Sequence, residues 1–458
     1  MNKNLNFRKV VSLTAAIAMT VTMLAGCGSN NEQAAQSSGQ AQTTTSTAAE
    51  STAAESTSQT GALKGEITQW VWGDYEKKGA VDFTKTYPDI KVNYVMVPQN
   101  DYVKKLQTTA ASNGDMPDVA NLEMTARGSL ANLDIWEKLD AAPYNLNKDD
   151  LVPFAIPISQ NKKGDIVCVQ IDNCVGGYAY NRELAKKYFG TDDPAELEKV
   201  LTNWDVFVQK GKEISEKSGG KNFLFAGSDD AYYALIGLYT KEPWVQDKKL
   251  NLDTTVLPTM KYIEQMIKDK ALGKYVMWTP AWNSSFASNT VVFYAAPTWF
   301  VPFVMKANDK DANGKYGLIT PPNGGYSWGG TAYGIPKESK NKELAWTYIK
   351  WFTMSREGSE GFFRTQGTPT LYSKVYDTGL YTNDANKDPY FGGQNIMQKY
   401  MEIAKNPNTQ TRPMTEYDAG IYDSIVVVLR AMDTGLSADQ ALPKLKADII
   451  KKFPELQQ

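Results

Sequence analysis

The chain has 458 residues, too long for one ordinary core at roughly 150 residues per domain, so two or more packed units are expected. With 42% apolar and 22% charged residues it has the composition of a globular protein, and a formal net charge of −2 offers no positive field to hold nucleic acid. The absence of histidine excludes Ser-His-Asp and Cys-His catalysis and His-ligated zinc, and three cysteines exclude a disulfide framework or a Cys₄ site, so neither metal nor cofactor is expected.

Residues 1–26 read as an export leader. Lys3, Arg8 and Lys9 form a basic start, and Val10 to Leu24 is an uncharged apolar run of 15 residues, short of the about 20 that a membrane-spanning helix needs. Leu24-Ala25-Gly26-Cys27 resembles a bacterial lipobox, in which small residues precede a cysteine that receives a lipid. Two or more acyl chains on Cys27 would anchor the protein stably, because one chain alone binds membranes only marginally. Residues 27–62 then read as a lipid-anchored disordered tether. From Gly28 to Ala62 the only charges are Glu32, Glu50 and Glu55, and no aromatic or large aliphatic residue is present to offset the entropy of ordering.

The remaining 396 residues, from Leu63, carry the folding signals. Gly65 to Trp72 alternates as a strand, Tyr75 to Tyr87 reads as a helix, and Ile90 to Val97 alternates as a second strand. Asp101 to Ser112 is a helix closed by Asn113-Gly114, and Pro117 to Leu122 is a third strand. This β-α-β-α-β order implies a parallel sheet with right-handed crossovers, on which ligands bind beyond the carboxyl ends of the strands. Those ends carry Trp72-Gly73-Asp74 and Glu123-Met124.

Further strands are expected at Ile166 to Ile171 and in the apolar runs Phe223 to Ala226, Thr290 to Ala295, Tyr316 to Ile319 and Thr331 to Ile335. Helices are expected at Arg182 to Phe189, Trp204 to Lys217, Thr255 to Lys270, Asn341 to Met354, Ile421 to Ala431 and Ser437 to Lys452, the last with Ser437 and Gln440 as a capping box. Cys168 and Cys174 lie six residues apart, about 20 Å on an extended strand, and read as buried free thiols.

Several stretches together resemble the extracellular solute-binding proteins typified by maltose-binding protein, the receptors of ATP-binding-cassette (ABC) sugar importers. They are the lipobox and tether, Ile67 to Gly73, Phe83 to Val92, Gly114 to Val119, Gly177 to Asn181 and Gly329 to Trp346. The resemblance implies an α/β fold of the type II periplasmic-binding-protein kind. Its two lobes are each a mostly parallel sheet flanked by helices and made of discontinuous chain: 63–173 and 330–373 in the N-lobe, 174–329 and 374–458 in the C-lobe. Hinges are implied near Asp172 to Val175, Trp328 to Thr331 and Gln366 to Leu371. Gly176-Gly177, Gly329-Gly330 and Gly367 offer permissive backbone there. An acidic position that some relatives place before the second lobe falls near Asp172 or Cys174.

A sugar has an apolar ring face and a rim of hydroxyls, so its site needs flat aromatics and planar polar groups. The candidates are Trp72 and Asp74 after strand 1, Glu123 after strand 3, Asp172, Tyr232, Trp299, Trp328, Gly329, Arg412, Glu416 and Tyr417, with Tyr233, Trp282, Asp229 and Asp230 as further ones. Trp299 in Ala296-Pro297-Thr298-Trp299 falls where the family often carries a stacking tryptophan. Asp74 and Glu123 can instead cap the helices that follow, and Asp229 and Asp230 can cap one at Ala231. Trp204, Trp346 and Trp351 fall in helical patterns and read as core.

The expected function is a lipid-anchored receptor, not an enzyme. It would capture a sugar or short oligosaccharide and deliver it to the membrane subunits of an ABC permease. It would work as a monomer on the outer face of the cytoplasmic membrane of a Gram-positive type of bacterium. A lipid-anchored glycosidase, which needs two carboxylates and no histidine, and a binder feeding a sensor are the alternatives.

Overall fold

Seven alternating residues, Gly65–Val71, form β1, the centre from which the first sheet grows. In this computed structural model, which describes residues 63–236 and 242–458, β1 pairs in parallel with β2 (Ile90–Met96) and with β3 (Val119–Glu123). The leader, Cys27 and the tether lie outside the described residues. The chain later returns β4 (Val169–Gln170) to the same sheet, and β11 (Thr331–Gly334) enters antiparallel between β3 and β4, giving the order β2-β1-β3-β11-β4.

The second sheet is built on β5 (Val175–Asn181), all seven residues of which are buried. After a small hairpin of β6 (Val245–Gln246) and β7 (Lys249–Leu250), β8 (Phe293–Pro297) pairs with one edge of β5. β9 (Tyr316–Ile319) and β10 (Tyr326–Ser327) share the other. All three run antiparallel to β5, so this sheet is not mostly parallel as expected. Beside it, Phe223 with Val291 and Phe225 with Leu272 form isolated parallel bridges, which is what the expected strand at 223–226 becomes.

The chain passes between the sheets twice in view of the site, at Ile171 to Cys174 between β4 and β5 and at Trp328 to Gly330 between β10 and β11. Gly330 has φ +102° and stands where a Cβ would meet the Gln170 side chain at 2.7 Å, so glycine is required there. Gly176 has no such left-handed backbone. It is small because the Tyr326 ring lies 2.2 Å from where its Cβ would be.

The helix expected over Tyr75 to Tyr87 is two short ones, Tyr75–Gly79 and Phe83–Thr86. The break lets Phe83 bury itself edge-on to Tyr348 and Trp351, while Gly79 presses against Phe362 with room for no side chain. The other expected helices form within a few residues of their limits, and Ser437 and Gln440 make the reciprocal capping box. Helices at Pro194–Val200, Pro280–Ser285, Arg356–Gln366 and Ile396–Lys405 were not legible as elements, and those at Met124–Ala131 and Ser228–Leu235 were foreseen only as helices that Glu123, or Asp229 and Asp230, could cap. Trp204, Trp346 and Trp351 are core, and Cys168 and Cys174 are buried free thiols.

Candidate functional site

Between the strand ends of the two sheets lies a cavity of about 1110 Å³. Trp72 and Tyr75, after β1, and Glu123 to Ala126, after β3, line it from the first sheet. Trp299, just past β8, and Trp328 to Gly330, at the second crossing, line it from the other side. Tyr233, Tyr422, Trp278 and Phe303 complete the aromatic wall, and five of the chain's 11 tryptophans face this one space.

The wall is internally braced. Trp299 donates its indole N–H to the Trp328 carbonyl at 2.7 Å, with the two rings edge-on at 5.2 Å. A Cβ on Gly329 would come within 2.6 Å of that nitrogen, so Gly329, at φ +87°, makes room for the indole. Trp328 in turn stacks on Tyr233 with centroids 3.8 Å apart, and the Tyr233 and Tyr422 hydroxyls are hydrogen-bonded to each other.

Charge at the cavity is mostly spoken for. Arg412 forms an ion pair with the buried Asp418 and lies 3.6 Å over the Trp244 ring, so its guanidinium is held against the wall. Asp172 forms part of the floor. It accepts hydrogen bonds from the Thr331 N–H at 3.2 Å, the Cys174 thiol at 3.1 Å and the Tyr75 hydroxyl at 3.4 Å, and burial raises its carboxyl above the usual range. Beneath it the buried Arg127 reaches Gln170 at 2.5 Å, the Gly330 carbonyl at 2.7 Å and the Leu122 carbonyl at 3.1 Å, tying β3, β4 and the second crossing together. Glu123 accepts from the Thr125 N–H at 2.9 Å as the N-cap of the helix Met124–Ala131, while still lining the cavity.

The remaining candidates lie elsewhere. Asp74 is exposed and does not line the cavity. It occupies an N-cap position without a side-chain capping bond, because its backbone is not in the extended conformation that aims a cap inward. Tyr232 is 3% exposed in the second core and does not line the cavity, unlike the adjacent, wall-forming Tyr233. Glu416 pairs with Lys162 at 3.3 Å near the surface, and Tyr417 packs edge-on against Phe453. Asp229 and Asp230 stand in the first turn of Ser228–Leu235 and do not cap it. Asp229 forms an ion pair with Arg430, and Asp230 accepts the Trp282 indole N–H, with both of its oxygens at 3.1 Å. Trp282 is fully buried, and burial pushes the Asp230 carboxyl up to about 8.

Six lining aromatics had no place among the candidates: Tyr75, Trp244, Trp278, Phe303, Tyr326 and Tyr422. Trp278 is 56% exposed and has φ +66°, a left-handed backbone that costs a bulky residue about 1–3 kcal/mol. Its neighbours, Lys274 to Thr279, follow no helical or strand period, so nothing local marked it. Such a space, with flat apolar faces, a few acceptors and its cation paired, suits a neutral ligand that is both ring-faced and hydroxylated.

The sequence profile of the bacterial extracellular solute-binding proteins matches residues 78–389. The chain is 23% identical over 387 residues to the lactose-binding protein of Rhizobium radiobacter, covering 77% of this chain and 85% of that one. It is also 23% identical over 408 residues to the arabinooligosaccharide-binding protein of Bacillus subtilis (strain 168), covering 84% and 90%. The crystal structure of an extracellular solute-binding protein of family 1 superposes with a TM-score of 0.75 at 20% identity, covering 84% of this chain and 99% of that one. The fold is the two-lobed one shared by these binding proteins, and the cavity lies between the lobes. The chain belongs to the bacterial extracellular solute-binding proteins, a family of binders rather than of enzymes.

Proposed function

We propose that this protein captures a neutral sugar or short oligosaccharide between its lobes and hands it to the membrane subunits of an ABC importer. The observation that carries the reading is the braced wall of Trp299, Trp328 and Tyr233 in a cavity whose one lining cation, among the described residues, is already paired with Asp418. Flat aromatic faces bind the apolar face of a sugar ring. Glu123, Gln99 and Gln410 at the cavity edge supply planar groups for its hydroxyls. The names of the lactose- and arabinooligosaccharide-binding relatives support the same class of ligand.

In this reading the N-lobe comprises 63–173 and 330–373 and the C-lobe 174–329 and 374–458. The protein acts as a monomer, and lipid on Cys27 holds it at the outer face of the cytoplasmic membrane of a Gram-positive type of bacterium. A thermal-shift screen against monosaccharides and oligosaccharides tests the ligand class. A sugar at 100 times its Kd should add about 2.7 kcal/mol of stability. A panel in which no sugar raises the melting temperature while a cationic amine does would replace this reading with one anchored on the carboxylates.

A further inference from the structure

Trp278 is costly for the fold and leaves much of its indole uncovered. It is the most exposed aromatic of the cavity wall, at 56%, and it is held at φ +66°, where a large side chain is disfavoured. The next residues fix it in place. Thr279 accepts the Trp282 N–H as an N-cap at 3.4 Å, and Pro280 begins the helix Pro280–Ser285. From behind, the fully buried Trp282 packs against Trp278 with centroids 5.1 Å apart, and Asp230 locks Trp282 through its indole N–H. Backbone strain of this kind gathers at ligand-contacting positions, and this one holds a half-exposed indole at the cavity wall.

The indole also has a definite relation to the rest of the wall. Its plane lies 18° from that of Trp299, with centroids 6.3 Å apart, and it meets Trp328 at 60° and 6.4 Å. The two indoles are near-parallel with centroids 6.3 Å apart, so Trp278 gives the wall a second aromatic face beside that of Trp299. We propose that Trp278 is a specificity-determining residue that receives a second sugar ring, so that the site selects an oligosaccharide of two or more rings over a monosaccharide. The inference rests on the sugar reading above and narrows it. Trp282 and Asp230 act on it as positioning residues, since neither side chain lines the cavity.

The test is calorimetry on the full chain with two series, galactose, lactose and raffinose, and arabinose, arabinobiose and arabinotriose, for the wild type and for Trp278→Gly and Trp278→Phe. Glycine suits φ +66°, so relief of backbone strain offsets part of the packing lost with the indole, and circular dichroism checks that the glycine variant is folded at the temperature of the titration. Its affinity for the bound di- or trisaccharide should fall at least tenfold, while any monosaccharide affinity changes less than threefold. Phenylalanine should recover part of the loss. An oligosaccharide affinity within threefold of wild type in Trp278→Gly overturns the inference and leaves the sugar reading intact. An equal loss for monosaccharide and oligosaccharide overturns the length selection. Wild-type protein that binds no sugar of either series overturns the sugar reading and this inference with it.

Discussion

Replacing Trp299 by alanine removes the centre of the wall. An aromatic side chain offers 150–250 Å² of surface, so a sugar ring lying on one face covers on the order of 100 Å². At about 25 cal/mol per Å² this contact is worth ~2.5 kcal/mol, or a loss of several tens-fold in affinity at 1.4 kcal/mol per factor of ten. The substitution also strands the Trp328 carbonyl, which loses its 2.7 Å hydrogen bond, at a cost of about 1 kcal/mol to the fold. Calorimetric titration of the sugar found by thermal shift, well below the melting temperature, separates the two effects. Trp299→Phe keeps a ring without the N–H and should retain most of the affinity. An alanine variant with an intact fold and a Kd within threefold of wild type would refute the stacking argument.

Three further outcomes are expected. Gly128, on the helix after β3, would place a Cβ 2.1 Å from the Thr415 carbonyl, which precedes the helix Asp418–Asp433 packed on the second core. Gly128→Ala should therefore wedge the lobes apart, giving a larger radius of gyration in small-angle scattering with ligand and at least tenfold weaker binding; wild-type scattering would contradict that. Glu76 is fully buried, with one oxygen bonded to Asn121 at 2.5 Å and the other without a partner among the described residues, and burial pushes its carboxyl up to about 7. A raised carboxyl favours the folded state below its unfolded pKa and loses that stability as pH rises through 7. The unfolding free energy should thus fall from pH 5 to pH 8, by up to about 3 kcal/mol from Glu76, with the buried Asp172 and Asp230 adding to the same trend, and Glu76→Gln should make the profile shallower; an unchanged slope would show that Glu76 does not contribute. Cys27→Ala should release the protein from the membrane fraction, and unchanged membrane retention and mass would show that Cys27 carries no lipid.

How far the sequence revealed this site depended on local phase. Strand β1 alternates, so the position of Trp72 at its carboxyl end, and of Glu123 at the end of β3, could be read directly. The helix Ser228–Leu235 showed no period of its own, and without its phase two adjacent tyrosines could not be told apart: Tyr233 faces the cavity and Tyr232 the core. Strand β5 is buried on both faces, and an unbroken apolar strand carries no mark of its direction, so its antiparallel neighbours were hidden. Asp74 looked like a site residue or a cap; its side chain does not line the cavity, and it makes no capping bond because the short helix after it begins from a backbone unsuited to capping. Trp278 owes its place to a left-handed residue between elements, a conformation set by tertiary packing that side-chain identity does not reveal.

The central claim is that a sugar binds between the lobes on the tryptophan wall. A crystal structure of the protein with the sugar that most raises its melting temperature tests this directly. The expected complex has a ring lying flat on Trp299, flanked by Trp328 and Trp278, with hydroxyls reaching Glu123 across the cavity. A sugar bound elsewhere, or one in the cavity that leaves these indole faces uncovered, would contradict it.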